Sequence, residues 1–215
     1  FVVTFRPVDP LPVIDLSDPP APRVAGELAM PGYSSYLHPV GEGRLLGVGA
    51  DVTEEGQRTG AQLSLFDVRD LSRPTRVAHL PLRFSYLPLE GGDHRAFLYW
   101  GPRRLVVLPL EVSFTLGESG QSFQGAALFE VGDDGTTLEE VGRIEHPLSL
   151  PIVGWPGILR AMVRGDRLLS LSGMGLMSSE LDDPTSGLWL EWSGGKGAEA
   201  PGPAAATSIG SGPAG

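Results

Sequence analysis

A chain of 215 residues with 16 Lys and Arg against 26 Asp and Glu carries a formal charge of -10 and no cysteine. The length is ample for a real core, while the acidic balance excludes nucleic acid as a partner, because phosphate-binding surfaces are built from Lys and Arg. Zero Cys removes disulfide frameworks, Cys-ligated metals and thiol nucleophiles, and no apolar run reaches the roughly 18 residues that span a membrane.

The chain opens on Phe1-Val2-Val3-Thr4-Phe5, already a strand pattern and not a natural start, so an N-terminal region is expected to have been removed. Strands follow near 11–16 and 23–29, completing a partial first unit over residues 1–31. The second unit, residues 32–82, places strands near 34–40, 44–50, 61–68 and 76–81. Turn signals separate them at Gly41-Glu42-Gly43, Glu55-Gly56 and Asp70 to Pro74. The third unit, 83–147, places them near 95–100, 104–113, 124–131 and 138–145. The fourth, 148–192, offers 158–163, 167–172 and 175–181 and then weakens through Leu188-Trp189-Leu190, so the loss of its last strand is expected. From residue 193 to 215 the composition collapses to Gly, Ala, Pro and Ser, which cannot bury enough surface to offset ordering entropy and is expected to be a flexible tail.

Two short elements recur in the same order. Ile14-Asp15-Leu16-Ser17-Asp18 leads to Pro22 and Arg23-Val24-Ala25, and Phe66-Asp67-Val68-Arg69-Asp70 leads to Pro74 and Arg76-Val77-Ala78. A degenerate copy starts at Leu128-Phe129-Glu130-Val131. Independently, Arg44-Leu45-Leu46-Gly47-Val48 matches Arg104-Leu105-Val106-Val107-Leu108 and Arg167-Leu168-Leu169-Ser170-Leu171. Such self-similarity is the signature of a repeat architecture. Four short strands per unit and little helical periodicity predict an all-β chain of propeller blades, about three to four of them, forming a partial ring. A closed four-blade ring is the runner-up architecture and a β-sandwich the third.

Phe5-Arg6-Pro7-Val8-Asp9-Pro10-Leu11, Val13-Ile14-Asp15-Leu16-Ser17-Asp18-Pro19 and Gly32-Tyr33-Ser34-Ser35-Tyr36-Leu37-His38-Pro39 resemble a secreted β-propeller family of actinobacteria, bacilli and archaea, described as a C-terminal propeller domain distantly related to WD40 repeats. Arg44 to Gly49, Ser64 to Val68 and Asp93 to Leu98 are also similar to its segments. The resemblance covers about residues 1–183. It implies an extracytoplasmic protein, often membrane-anchored through the removed N-terminal region, and supplies no catalytic motif. The sequence departs from the family pattern at Ser113 to Phe123, which reads as a variable insertion, and around Trp155.

The paired carboxylates Asp15 and Asp18, with their copies Asp67 and Asp70, have the residue types of an acid–base pair or a cation site. Both pairs end a strand and open a Pro-rich turn, where Asp caps backbone N–H groups, and duplication in successive blades favours that structural role. Asp51, Thr53 and Glu55 stand at positions 1, 3 and 5 of a loop with Gly56 at 6, the first half of a calcium loop, although Gln62 sits where the bidentate Glu belongs. Calcium is thus the one cofactor to test, and no other is expected.

His38, His79, His94 and His146 show no metal-ligand spacing. Asp93-His94 could form a dyad, with Ser34 or Ser35 as nucleophile, but no nucleophile elbow is present. Gly41-Glu42-Gly43 and Gly47-Val48-Gly49 open no helix and support no dinucleotide site. Tyr33 and Tyr36 begin one blade and Phe84 to Tyr86 occupy the matching place in the next, so Tyr33, Tyr36, Phe84 and Tyr86 are the candidate partner contacts. The expected function is a non-catalytic extracytoplasmic scaffold for a protein or cell-surface ligand of unknown identity, with the missing blades of the same polypeptide as a further partner. The competing readings are a cell-surface hydrolase or lyase with its site in the propeller channel, and a calcium-assisted adhesion module.

Overall fold

The computed structural model describes residues 11–192 apart from residues 42, 92, 114–121, 148–156 and 186. The strand expected at 1–5, the tail from 193 and most of the variable insertion therefore lie outside the described residues, as does Trp155.

Among the described residues there is no α-helix, and the strands form four antiparallel sheets. The first pairs β1 (Leu11–Asp15) with β2 (Arg23–Leu28). The second runs in chain order through β3 (Tyr33–Gly41), β4 (Arg44–Val52), β5 (Arg58–Asp67) and β6 (Thr75–Arg83). The third contains β7 (Ser85–Tyr86), β8 (Leu98–Trp100), β9 (Leu105–Val112), β10 (Phe123–Val131) and β11 (Leu138–Ile144). The fourth runs through β12 (Ile158–Arg164), β13 (Arg167–Ser172), β14 (Gly175–Glu180) and β15 (Gly187–Glu191). The all-β, four-stranded organisation of a partial propeller is what the repeats predict.

Burial explains why the middle strands read as near-continuous apolar runs. β4, β5, β9 and β10 are covered on both faces, so their buried side chains are mostly apolar on both, with Gln62 and Ser64 of β5 as buried polar exceptions. The outer strands β6 and β11 alternate more visibly with exposed positions. Cores lie between sheets. Leu11, Met30, Leu45, Phe66 and Val68 pack the first sheet on the second. Leu46, Val48, Leu63 and Leu65 meet Val106, Leu108, Phe129 and Val131 at the second seam. Leu105, Val107, Ala126 and Leu128 meet Ile158, Leu168 and Met177 at the third. A fully buried Leu or Phe at such a seam contributes about 1.5–3 kcal/mol. The first seam is close enough that a Cβ added at Gly26 would stand 2.2 Å from the Leu71 carbonyl oxygen, which leaves room for Gly alone.

Three sequence expectations are corrected. Gly187–Glu191 pairs with β14 from Ser179↔Gly187 to Gly175↔Glu191, so the fourth sheet has its last strand; the pattern weakens there because Leu188 and Leu190 leave one face uncovered. The strand expected near 95–100 is only Leu98–Trp100, preceded by a 3-10 turn at His94–Ala96. Its other part is Ser85–Tyr86, which pairs with Val112 and Glu111 on the same edge of β9. Between the two parts the chain makes an excursion that plants Leu87 and Leu89 in the second seam.

The third correction concerns register. Arg44 pairs with Asp67 and Arg167 with Glu180, but in the third sheet Leu105, not Arg104, pairs with Glu130. Val106 is thus the counterpart of Leu45, which is why both sit on the preceding seam. Arg104 stands one residue earlier, in a left-handed conformation with φ 48° that closes the 3-10 turn at Gly101–Arg103.

Candidate functional site

The strands alternate in direction, so the connections of each sheet divide between its two ends. One end carries the turns after β1, β5 and β10, where the repeated carboxylates lie. Asp15 accepts the Ser17 backbone N–H at 2.9 Å and the Arg23 guanidinium at 2.8 Å, and these bonds, the Ser17 backbone first, hold its pKa down to about 2. Asp67 does the same with Arg69, accepting its backbone N–H at 3.0 Å, and the Arg69 side-chain bonds keep it well below the usual carboxylate range. Asp70 accepts from Ser72 and Arg73 and is lowered chiefly by the Ser72 hydroxyl. Asp18 contributes its carbonyl, which accepts the Ala21 N–H at 2.9 Å. Asp134 repeats the device with the Thr136 backbone N–H. A carboxylate whose lone pairs serve its own turn is a poor base for substrate.

The opposite end carries the β4–β5 hairpin and the β6–β7 connection. Asp51 accepts the Thr59 hydroxyl at 2.6 Å and lies 3.3 Å from His79 Nε2, so its carboxylate is spent on β5 and β6. Thr53 closes its own turn: its N–H donates to the Gln57 carbonyl, and its hydroxyl accepts the Gln57 N–H. Glu55 is exposed, and a hydrogen bond with the Thr53 side chain leads the lowering of its pKa. Among the described residues no group of three or more His, Asp or Glu could hold a metal ion. The three oxygens aligned in sequence thus have separate roles in the fold.

At this same end Phe84 and Tyr86 stand at the seam between the second and third sheets, each about two-fifths exposed. Phe84 has φ 56°, an unusual conformation for a bulky residue. It is held there from both sides. Its N–H donates to the Thr59 carbonyl at 2.9 Å and its own carbonyl accepts the Ser113 N–H at 3.0 Å. Arg58 lies over the Tyr86 ring at 5.8 Å and donates to the Ser85 carbonyl at 3.4 Å. Tyr86 pairs with Glu111 as Tyr33 pairs with Ala50, so the two tyrosines hold the same place in successive sheets. Tyr33 itself is half-buried.

Tyr36 belongs to another cluster, between β3 and the segment of the third sheet that leads from the His94–Ala96 turn into β8. Its ring stacks on His94 at 5.1 Å, touches Phe97 at 5.0 Å and shares a 3.1 Å hydrogen bond with His38 Nδ1. His38 in turn packs on Phe97 and Tyr99, and burial lowers its pKa and raises that of Tyr36. Asp93 does not form a dyad with its neighbour His94; it pairs with Arg160 of β12 at 2.8 Å. Ser35 donates to the Val48 carbonyl and Ser34 is buried against Gly47, so neither hydroxyl is presented as a nucleophile. His146, buried between Ser170 and Ser172 at 2.7 and 2.8 Å, was not singled out by the sequence beyond being a histidine. Burial lowers its pKa to about 4.

A family model described as a beta propeller domain matches residues 1–184. The chain belongs to the β-propeller domain family. It is similar to an uncharacterised protein of Methanocaldococcus jannaschii, 39% identical over 172 residues, which are 80% of this chain and 23% of that protein. An uncharacterised protein of Archaeoglobus fulgidus is 43% identical over 109 residues, 51% of this chain and 16% of that protein. This propeller chain thus spans less than a quarter of the length of these curated relatives.

Proposed function

We propose that this propeller segment is a non-catalytic scaffold, working outside the cytoplasm, whose partner docks at the Phe84–Tyr86 end of the seam between the second and third sheets. The observation that carries the reading is Phe84: an aromatic residue held at positive φ by backbone bonds to both sheets, yet directed in part to solvent. Strain of this kind persists only where the surroundings enforce it, and it concentrates at functional positions. Tyr86 with Arg58 above its ring adds the residue types that dominate binding hot spots. The partner is a protein or cell-surface ligand offering an apolar knob matched to the two exposed aromatic rings. A scaffold role agrees with carboxylates that serve their own turns and serines that face the interior. The extracytoplasmic setting rests on the family resemblance of residues 1–40.

The test is to immobilise the full protein and its Phe84→Asn/Tyr86→Ala variant and screen both against surface glycans and peptides. Binding by the natural protein that the variant loses, without turnover of peptide, glycan or ester substrates, supports the scaffold. Turnover that vanishes with His94→Ala or Asp93→Asn overturns it.

A further inference from the structure

We propose that the cavity between the second and third sheets, at the end opposite to Phe84, is a site for a phosphate group, held by Arg104 and Arg69 in exchange for the carboxylate of Asp133. This site is independent of the docking proposed at Phe84. The cavity measures about 210 Å³, and Arg44 at the start of β4, Arg69 after β5 and Arg104 before β9 all line it. The carboxylates beside them are Asp133 and Asp134 of the β10–β11 turn. Asp67 is already engaged by both Arg44 and Arg69.

Arg104 reaches the cavity because of the register slip. Its repeat counterparts Arg44 and Arg167 each meet a carboxylate of the adjacent strand, Asp67 and Glu180. In the third sheet Leu105 takes the place opposite Glu130. Arg104 turns to the seam instead, where Nε donates to the Val131 carbonyl at 3.0 Å and Nη2 donates to Asp133. Among the described non-glycine residues only Phe84 and Arg104 have positive φ. A left-handed residue that closes a helical turn is usually Gly, so arginine there carries a strain that Gly would not, and such strain gathers at functional positions. Arg69 is also set over the cavity: a Cβ added at Gly43 would stand 2.2 Å from its Cγ, so Gly43 leaves the room for its stem.

The ligand class follows from what must be displaced. Asp133 is 88% exposed, and a solvated ion pair of that kind holds weakly. A guanidinium has five N–H donors, and the two bonds of Arg104 leave Nη1 over. A single carboxylate gains nothing against one already tethered beside the arginine. A phosphate group brings more charge and a third oxygen, enough to bridge Arg104 and Arg69. The formal charge of -10 gives anions no general attraction to this chain, so saturable binding reports a local site.

The experiment titrates the full protein with inorganic phosphate, glycerol 3-phosphate and acetate at constant ionic strength, by calorimetry and by Tm. Saturable phosphate binding is expected with a Kd of about 1 mM or tighter, with a Tm rise of about 3 °C or more at roughly twenty times that concentration. Arg104→Gly, which suits φ 48°, should keep its phosphate-free Tm within about 3 °C of the natural value. Arg104→Gly and Arg69→Gln should each weaken phosphate binding at least about ten-fold. Asp133→Ala, which removes the competitor, should tighten it about five-fold, and Arg164→Gln, on an exposed arginine of the fourth sheet, should leave it unchanged. Tighter binding of glycerol 3-phosphate than of the free ion assigns the site to a phosphate ester and the reverse assigns it to the ion, each in support. Absence of saturable phosphate binding, binding that Arg104→Gly retains, or acetate bound as tightly as phosphate would overturn the inference.

Discussion

Arg44 of the second sheet donates from Nε to the carbonyl of Gly135 in the third at 2.9 Å, while its Nη1 lies 2.8 Å from Asp67 Oδ2. One guanidinium therefore fastens the start of β4 to the end of β5 and to the β10–β11 turn of the next sheet, where Gly135 has the φ of +65° that a tight hairpin requires. Arg103 and Asp182 make the corresponding link from the third sheet to the fourth. Seams closed in this way have apolar centres and a charged clasp at one end.

Removing the clasp should loosen the seam. The Arg44 side chain is only 12% exposed, so Arg44→Met is expected to destabilise by about 2–3 kcal/mol, the usual effect of losing a charged hydrogen bond and a close ion pair in a largely buried setting. Urea unfolding at pH 7 measures it. In a double-mutant cycle, Asp67→Asn should cost much less in the Arg44→Met background than in the natural protein.

Acid should act through His146 before it acts through the aspartates. Its folded pKa, near 4, lies below the unfolded value of 6.5, so the unfolded chain takes up the proton first. The stability it contributes is complete above pH 6.5 and is lost progressively as pH falls toward 4, by roughly 3 kcal/mol in all. Asp15, held at about 2 against 3.8, adds its own loss only below about pH 4. Unfolding free energies at pH 7.5 and 4.5 should differ clearly in the natural protein. In His146→Gln the gap should narrow.

Phe84 separates stability from recognition. Asn tolerates positive φ far better than an aromatic residue does, so Phe84→Asn is expected to leave Tm within about 2 °C of the natural value while partner binding falls. Phe84→Val, β-branched and ill-suited to that conformation, should lower Tm. Thermal denaturation of the two variants side by side decides it.

Calcium should leave the melting temperature unchanged, because Asp51 is already engaged by Thr59 and His79. Scanning calorimetry in millimolar calcium and in chelator checks this; a rise with calcium that Asp51→Asn abolishes would favour the adhesion reading.

Most strand positions were legible because a sheet buried on both faces writes long apolar runs, and because Gly and Asp mark the turns: β4, β10 and β13 fall within two residues of where their patterns place them. The turn role of Asp67 was legible from its duplication at Asp15. The slip at Arg104 was not, since a one-residue offset preserves the local string Arg-Leu-Val while moving every side chain to the other face, and only the partner strand reveals it. The split between Ser85–Tyr86 and Leu98–Trp100 was hidden for a similar reason: Leu87 and Leu89 are apolar like strand residues but occupy a 3-10 excursion. The cluster around Tyr36 depends on His94, which that excursion brings back, and nothing local to Tyr36 announces it.

Since, among the described residues, every apolar nucleus sits between two sheets and none within one, a lesion such as Phe66→Ala at the first seam weakens one nearest-neighbour coupling and leaves the next intact. Disassembly then has a natural order. Amide exchange after such a change should quicken first in β1 and β2 and fade toward β13, a gradient along the polypeptide in place of a single all-or-none melt.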